Sequence, residues 1–574
     1  MRGQRVSFYW GGLLTLLLAG LILAGFNTRG IAQSSEENSK VRSDIVTIDK
    51  MAELGKLELP PVTFLHDKHT EALSEEERPC LACHNENEED KNLGFTFMKT
   101  AEAEGTAQMK EAFHEGCISC HEEKLDEGKD SGPTEGECRS CHSENPPDSN
   151  RQPAGLGKVL HYRHVAAEQI PDLKLSGQKD ENCGRCHHKY DQEAEKLVPE
   201  TEEEGSCRYC HKAEPYELEG TDVMVSTFPA ASHLQCVNCH RGLEILDAEK
   251  TGPVECASCH GIVGQKQIES DNEEFMKKLG GELPRLERGQ PDAALVTAMQ
   301  PEDYMALRQE DRPSTMNPVP FDHVAHERAV ENCRSCHHEA IKSCNSCHSI
   351  PGKEEGDFIQ LSDAMHMSDS EASCVGCHNI KKQEPVCAGC HAAMETEPVL
   401  DEKSCYQCHP ENIEEGSEPM RMSTERQDEM AASMLKARAD KPGLYPEDDI
   451  PETVKIDAMV DEYKASEFPH RRIVNYLADK VGESGMGGYF HAEEGLLCQG
   501  CHHNSPVSKN PPSCVSCHGK PFDESGGGRP GLKAAYHGQC MDCHSAMGIE
   551  GKEIVKGKPV PANTDCTGCH EENK

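Results

Sequence analysis

Every one of the 32 cysteines lies in a CxxC pair followed at once by histidine, which makes sixteen CxxCH motifs and leaves no thiol over. The first seven are Cys80, Cys83 and His84; Cys117, Cys120 and His121; Cys138, Cys141 and His142; Cys183, Cys186 and His187; Cys207, Cys210 and His211; Cys236, Cys239 and His240; and Cys256, Cys259 and His260. Five more follow: Cys333, Cys336 and His337; Cys344, Cys347 and His348; Cys374, Cys377 and His378; Cys387, Cys390 and His391; and Cys405, Cys408 and His409. The last four are Cys498, Cys501 and His502; Cys514, Cys517 and His518; Cys540, Cys543 and His544; and Cys566, Cys569 and His570. Two thiols at this spacing add to the two vinyl groups of a porphyrin while the adjacent imidazole reaches the iron, so CxxCH is the attachment signal of c-type haem. A single CxxC could be a disulfide or half a zinc site. Histidine is only 31 of 574 residues, so sixteen successes at the one required position are not chance. Haem c, in sixteen covalently bound copies, is the cofactor expected.

Fifteen histidines remain for the opposite side of the irons: His66, His69, His114, His161, His164, His188, His233, His323, His326, His338, His366, His470, His491, His503 and His537. A lone histidine is more often a surface or core residue than a ligand, but here the number falls one short of the number of irons. The simplest account is fifteen haems with two axial histidines and one lacking a sixth ligand. Two nitrogen ligands leave no place for substrate and favour a lower potential than His/Met ligation. The chain has 20 methionines, and no spacing singles one out as the missing ligand.

Packing so many macrocycles decides the fold. Setting aside the first 32 residues leaves about 34 residues per motif, too few for sheets or long helices around each. Only 36% of residues are hydrophobic and 5% aromatic, so porphyrins have to supply the buried apolar surface that side chains do not. The expected architecture is mostly coil with short α-helices around packed haems and little or no β. Two haem-poor stretches, Gly261 to Asn317 and Pro410 to Phe468, read as connectors, with helical character at Phe275–Leu279 and Asp428–Ala439.

Arg2 and Arg5, an apolar run from Phe8 to Phe26 and Gly30-Ile31-Ala32 form the pattern of a secretory signal peptide cleaved after Ala32. The same run approaches the roughly 20 residues that span a bilayer, so an uncleaved membrane anchor is the competing reading. The formal net charge of −42 disfavours nucleic acid as a partner. Acidic runs such as Glu75–Glu77, Glu88–Asp90 and Glu202–Glu204 are ordinarily solvated faces, and they would also steer a basic protein partner.

Three segments repeat one order of elements: HxxH or its remnant, CxxCHH, CxxCH, a lone histidine, CxxCH and a final CxxCH. The first runs from His161 and His164 to Cys256, the second from His323 and His326 to Cys387, and the third from His470 to Cys566. A shortened copy stands ahead of them, with His66, His69 and His114 and the motifs at Cys80, Cys117 and Cys138. The motif at Cys405 belongs to no repeat. Accordingly residues 1–32 are expected as signal peptide, 33–155 as a three-haem module and 156–262 as a four-haem module. Residues 263–316 follow as a haem-poor connector, 317–392 as a four-haem module, 393–467 as an isolated haem with connector, and 468–574 as the last four-haem module.

This order resembles the class III multihaem cytochromes c of sulfate-reducing bacteria, and over nearly the whole mature chain it resembles their sixteen-haem, high-molecular-mass branch. The resemblance implies which histidine serves which haem. The first His of HxxH would ligate a module's first haem, the second His its third, the His after CxxCH its second and the lone His its fourth. His161, His188, His164 and His233 would then serve Cys183, Cys207, Cys236 and Cys256 in that order. His323, His338, His326 and His366 would serve Cys333, Cys344, Cys374 and Cys387. His66, His69 and His114 would serve Cys80, Cys117 and Cys138. The last module departs from the pattern, because Ile473 stands where the second His of HxxH belongs. That gap leaves the haem at Cys540 and Cys543, with proximal His544, five-coordinate. His470, His503 and His537 would serve Cys498, Cys514 and Cys566, and His491 the solitary haem at Cys405. The alternative is that His491 or a methionine fills the gap and the solitary haem is the open one.

The function implied is electron transport, from periplasmic hydrogenase through a small basic tetrahaem cytochrome to an inner-membrane redox complex linked to sulfate respiration. The competing reading is a reductase in which the open haem reduces a small molecule such as nitrite or a metal ion. No altered attachment motif marks a catalytic haem, so no catalytic residue is assigned. An outer-surface conduit would want a lipid-anchor cysteine, and none is spare.

Overall fold

The computed structural model describes residues 41–574 apart from 77, 89–90, 171, 173–181, 201–203, 247–250, 393–401, 414–416, 459–462, 521, 523–527, 555–558 and 573–574. The N-terminal signal sequence or anchor therefore lies outside the described residues. The chain divides into two compact units, Met1–Leu286 and Glu287–Lys574.

Irregular chain and short helices dominate both units, as the density of motifs requires. Strands are nonetheless recurrent, and the expectation of little or no β needs that qualification. Seven two-stranded sheets occur among the described residues. Three of them have one purpose. Ile45–Ile48 pairs antiparallel with Val62–Leu65, which delivers the chain directly into the helix His66–Ala72. Ala293–Val296 pairs with Val319–Asp322, which runs into His323–Ala329. Val454–Ile456 pairs with Ser466–Phe468, just ahead of His470–Gly482. The β-branched and aromatic residues of these runs favour the extended state, and each hairpin aims the first histidine of an HxxH or its remnant. Phe64 and Phe321 from these strands lie over the second histidine, with ring centroids 4.2 Å from His69 and 4.1 Å from His326.

Three helices exceed the short lengths expected: Gly105–Asp126, Phe228–Ile245 and Ile262–Lys278. The first two are long because a distal histidine and the next attachment motif lie on one helix, three residues apart.

In the first unit, side-chain polar contacts join the three-haem and four-haem segments. Asp67 Oδ1 and Oδ2 accept the backbone N–H groups of Cys256 and Ala257 at 2.8 and 2.7 Å. Arg241, itself buried, donates to Lys91 O at 3.0 Å and to Glu86 Oε1 at 2.7 Å. Arg78 grips the same carboxylate at 2.5 Å.

The second unit contains a side-chain core. Ala293, Leu295, Met430 and Ala431 are buried together, with Met422, Met434 and Leu435 packed around them. The helix Thr424–Lys436 therefore lies over the sheet formed by Ala293–Val296 and Val319–Asp322, so the two haem-poor stretches pack on each other. Prolines and glycines aside, only twelve apolar residues are buried among all those described, far too few to fill a chain of this length.

Candidate haem sites

The histidines come together in proximal–distal pairs. Each of fifteen CxxCH histidines faces one of the fifteen others, with ring centroids 5.9–6.4 Å apart. This spacing suits an iron between them: with metal–nitrogen bonds of about 2 Å and a little over 1 Å from nitrogen to ring centre, the centroids fall roughly 6 Å apart. In the first unit the pairs are His66–His84, His69–His121, His114–His142, His161–His187, His188–His211, His164–His240 and His233–His260. In the second they are His323–His337, His338–His348, His326–His378, His366–His409, His391–His491, His470–His502, His503–His518 and His537–His570.

Two of these pairings correct the sequence reading. His366 faces His409 of the Cys405 motif, not His391, and His491 faces His391 of the Cys387 motif, not His409. Counting motifs took the next one, Cys387, as the module's fourth. The helix Cys374–Lys381 is followed after three residues by Pro385–His391, which packs instead against Cys543–Ala546. A Cβ at Gly389 would fall 2.5 Å from Met547 Cγ and 2.9 Å from Cys543 Sγ, and one at Gly500 would fall 2.9 Å from Cys390 Sγ. The Cys387 haem is thus carried to the last repeat, and Cys405 closes the repeat that begins at His323.

His544 is left without a facing histidine ring among the described residues. Its motif lies on a continuous helical run, Leu532–His537, Gly538–Asp542 and Cys543–Ala546, whose middle turn is the wider i→i+5 kind. Such turns are rare and frequent at functional sites. Met547 Sδ lies 3.8 Å from Cys543 Sγ of the same motif.

Local backbone fixes the tautomers. His69, His164, His326, His366 and His491 each place Nδ1 2.6–2.9 Å from the carbonyl four residues back in the chain. A carbonyl only accepts, so Nδ1 carries the proton and Nε2 is free for metal. Proximal rings find more distant carbonyls. His121, His240 and His518 meet Pro133, Pro253 and Pro530 at 2.7, 2.8 and 2.8 Å. The glycines before the first two prolines are obligatory, because a Cβ at Gly132 or Gly252 would collide with the ring of His121 or His240. Burial lowers the pKa of many of these imidazoles, among them His69, His164, His378 and His391, which favours the neutral form that binds metal.

Sequence spacing also links the sites. In HxxH, residues i and i+3 share a helix face, so the first and third sites of a module hang from one turn. Consecutive histidines such as His187–His188 join the first and second sites. His114 and His121, or His233 and His240, are two turns apart on one helix, about 10 Å along the axis, and join two more. Each full repeat is therefore built around a second–first–third–fourth series, with Cys207, Cys344 and Cys514 at one end. The last repeat lacks the HxxH link, and in the repeat that begins at His323 a turn separates Leu361–His366 from Cys374–Lys381.

Comparison with known proteins decides the family. The model of the class III cytochrome c family matches residues 43–142, 161–260, 300–409 and 482–574, well over half of the chain. The chain belongs to the class III cytochrome c family. The third matched segment of this class III cytochrome ends at His409, the residue that faces His366. It is 42% identical over 581 residues to the high-molecular-weight cytochrome c of Nitratidesulfovibrio vulgaris Hildenborough, covering 100% of this chain and 99% of that protein. The crystal structure of high-molecular-weight cytochrome c from Desulfovibrio vulgaris Miyazaki F aligns with TM-score 0.77 at 40% identity, over 94% of this chain and 100% of that one. The sixteen-haem cytochrome from Desulfovibrio gigas aligns with TM-score 0.69 at 36% identity, over 93% and 99%. This class III cytochrome is a multihaem electron-transfer protein that binds its haems covalently.

Sequence reasoning missed the glycines that make room for proximal rings, the Asp67 cap on the Cys256 motif and the carboxylate shared by Arg78 and Arg241. The Gly-Pro at similar distance after His121 and His240 was the readable signal. The other two join distant segments and carry no local mark.

Proposed function

We propose that this class III cytochrome is a periplasmic conduit that takes electrons from hydrogenase through a small basic tetrahaem cytochrome and passes them to an inner-membrane redox complex, in support of sulfate respiration. The carrying observation is the set of fifteen facing histidine pairs. When bound, haem iron would supply reversible one-electron chemistry; the facing histidines would hold it and leave no place for substrate, and shared helices fix neighbouring sites. The leader at Arg2 to Ala32 supports export. No helix among the described residues is long and apolar enough to cross a membrane. The net charge of −42 suits a lysine-rich donor. Stopped-flow reduction by a basic tetrahaem cytochrome should slow by about tenfold or more between low salt and 0.5 M salt. A rate indifferent to salt would count against the proposed donor.

His544, with no histidine ring facing it among the described residues, favours a second reading in which a five-coordinate site at Cys540 reduces a small molecule. Steady-state assay with nitrite and other oxyanions separates the two. Turnover would support a reductase, and its absence with intact electron uptake would support a carrier.

A further inference from the structure

The segment from Ser349 to His366 connects two end sites of its repeat. It leaves His348, the proximal residue of the Cys344 motif, and ends at His366, the partner of His409. It is pinned to the motif it leaves. A Cβ at Gly356 would collide with Cys347 O and fall 2.8 Å from His348 Nδ1, which itself meets Ile359 O at 3.2 Å. Leu361 is buried and anchors the far side. Between these anchors Asp357 and Phe358 take φ values of 52° and 59°. Two consecutive non-glycine residues in left-handed backbone carry strain that the surroundings must hold in place. The result is Phe358 held 70% exposed, with Ile359 and Met367 also exposed. From Lys353 to Glu371 the sequence carries Glu354, Glu355, Asp357, Asp363, Asp369 and Glu371 against Lys353, and Lys382 reaches the same stretch by donating to Asn379 Oδ1, whose Nδ2 donates to Ser368 O.

Exposed apolar side chains also occur in the chain that follows the other two end motifs. Met224, 61% exposed, lies in the segment that closes on His211 through Ser226 O. Phe522, also 61% exposed, precedes Pro530, whose carbonyl meets His518. At Cys344 the exposed apolar side chain is flanked along the chain by the exposed carboxylates of Glu354, Glu355 and Asp357.

We propose that Phe358 and its acidic surround form the docking surface for a small lysine-rich haem protein that exchanges electrons at the Cys344 site. The inference rests on the conduit reading and adds the port. A desolvating apolar centre with a charged rim fits a transient interface, in which complementary charge speeds encounter and the small apolar area permits rapid release. One electron leaves a ferrous iron of the partner and is accepted by a ferric site of this chain. No bond is made or broken and no proton moves.

The test uses the full-length holoprotein and, as probe, a lysine-rich class III tetrahaem cytochrome, with second-order reduction rates at low salt. Combined Glu354→Lys, Glu355→Lys and Asp357→Lys should lower the rate by about tenfold or more, and Phe358→Ala by about fivefold. Combined Asp448→Lys, Glu452→Lys and Glu467→Lys, the same charge change on exposed residues ahead of the His470 helix, should stay within about twofold. Equal losses in the two triple variants would show general charge at work and overturn the port. Altered haem content or potentials in Phe358→Ala would mark that ring as haem packing and overturn it too. Carbodiimide cross-linking of the unmodified protein to the probe should join Glu354, Glu355 or Asp357 to partner lysines, and cross-links mapping only elsewhere would reject the site even if the triple variant fails to mature. Salt-dependent reduction of the wild type together with unimpaired patch variants would reject the port alone. A wild type reduced with no salt dependence would reject the proposed donor and the port with it.

Discussion

Around Ala431, which is completely buried, the second unit is built like an ordinary small protein, with a helix laid over a two-stranded sheet and methionines filling the gaps. A short way along the chain, at His323 and His326, the same sheet hands over to a region whose partners are other histidines about 6 Å away. The first region is stabilised by its own side chains. The second is a set of ligands held at the spacing an iron needs, and its interior comes from the covalently bound macrocycles. The comparison teaches that two kinds of core coexist in one unit, and that the side-chain core lies where motifs are sparse.

The largest test of this contrast removes a macrocycle. Combined Cys236→Ala and Cys239→Ala should yield a mass short by one haem and abolish the cooperative melt of the first unit, as followed by circular dichroism. Retention of a sharp melt would break the comparison. Met430→Ala should do the reverse, leaving the haem complement intact while lowering stability by about 2–5 kcal/mol in denaturant unfolding. Next in size is the corrected pairing. His491→Ala should turn the Cys387 haem high-spin and leave the Cys405 haem low-spin, and His366→Ala should do the opposite, as read by paramagnetic resonance. Finding the two outcomes exchanged would restore the order read from sequence. The smallest effect belongs to Glu86, whose carboxyl is held down by Arg78 first and Arg241 second, from its usual 4.5 to about 2. A depressed pKa stabilises the fold above about 4.5 and ceases to do so as pH falls through about 2. Glu86→Gln should therefore be less stable than wild type near neutrality, with the two melting curves converging as the pH is lowered across that window.

How much was legible in the sequence followed from how local the chemistry is. Covalent attachment demands two thiols and an imidazole within five residues, so every motif could be read directly. Pairings such as His66–His84 and His69–His121 follow from the family's order and agree with the geometry, because HxxH places both rings on one short helix. The choice between Cys387 and Cys405 could not be read in the same way. It depends on Pro385–His391 packing against Cys543–Ala546, more than 150 residues on, through contacts at Gly389 that only the folded chain reveals. The hairpins were visible in principle, since Val62-Thr63-Phe64-Leu65 is a strand-forming run, but the argument from residues per motif masked them. The connector helices were located and underestimated. Phe275–Leu279 is the end of Ile262–Lys278 with its cap, and Asp428–Ala439 overlaps Thr424–Lys436.

The helices that carry a distal and a proximal histidine seven residues apart have a mechanical consequence. Gly105–Asp126 and Phe228–Ile245 each grip two neighbouring metal positions with one stiff rod. Thermal sway of such a rod displaces both positions in step, so the gap between them is shielded from the jostling of the surrounding loops. A tunnelling rate falls steeply with separation, and for these pairs the rod acts as the gauge block that keeps it constant.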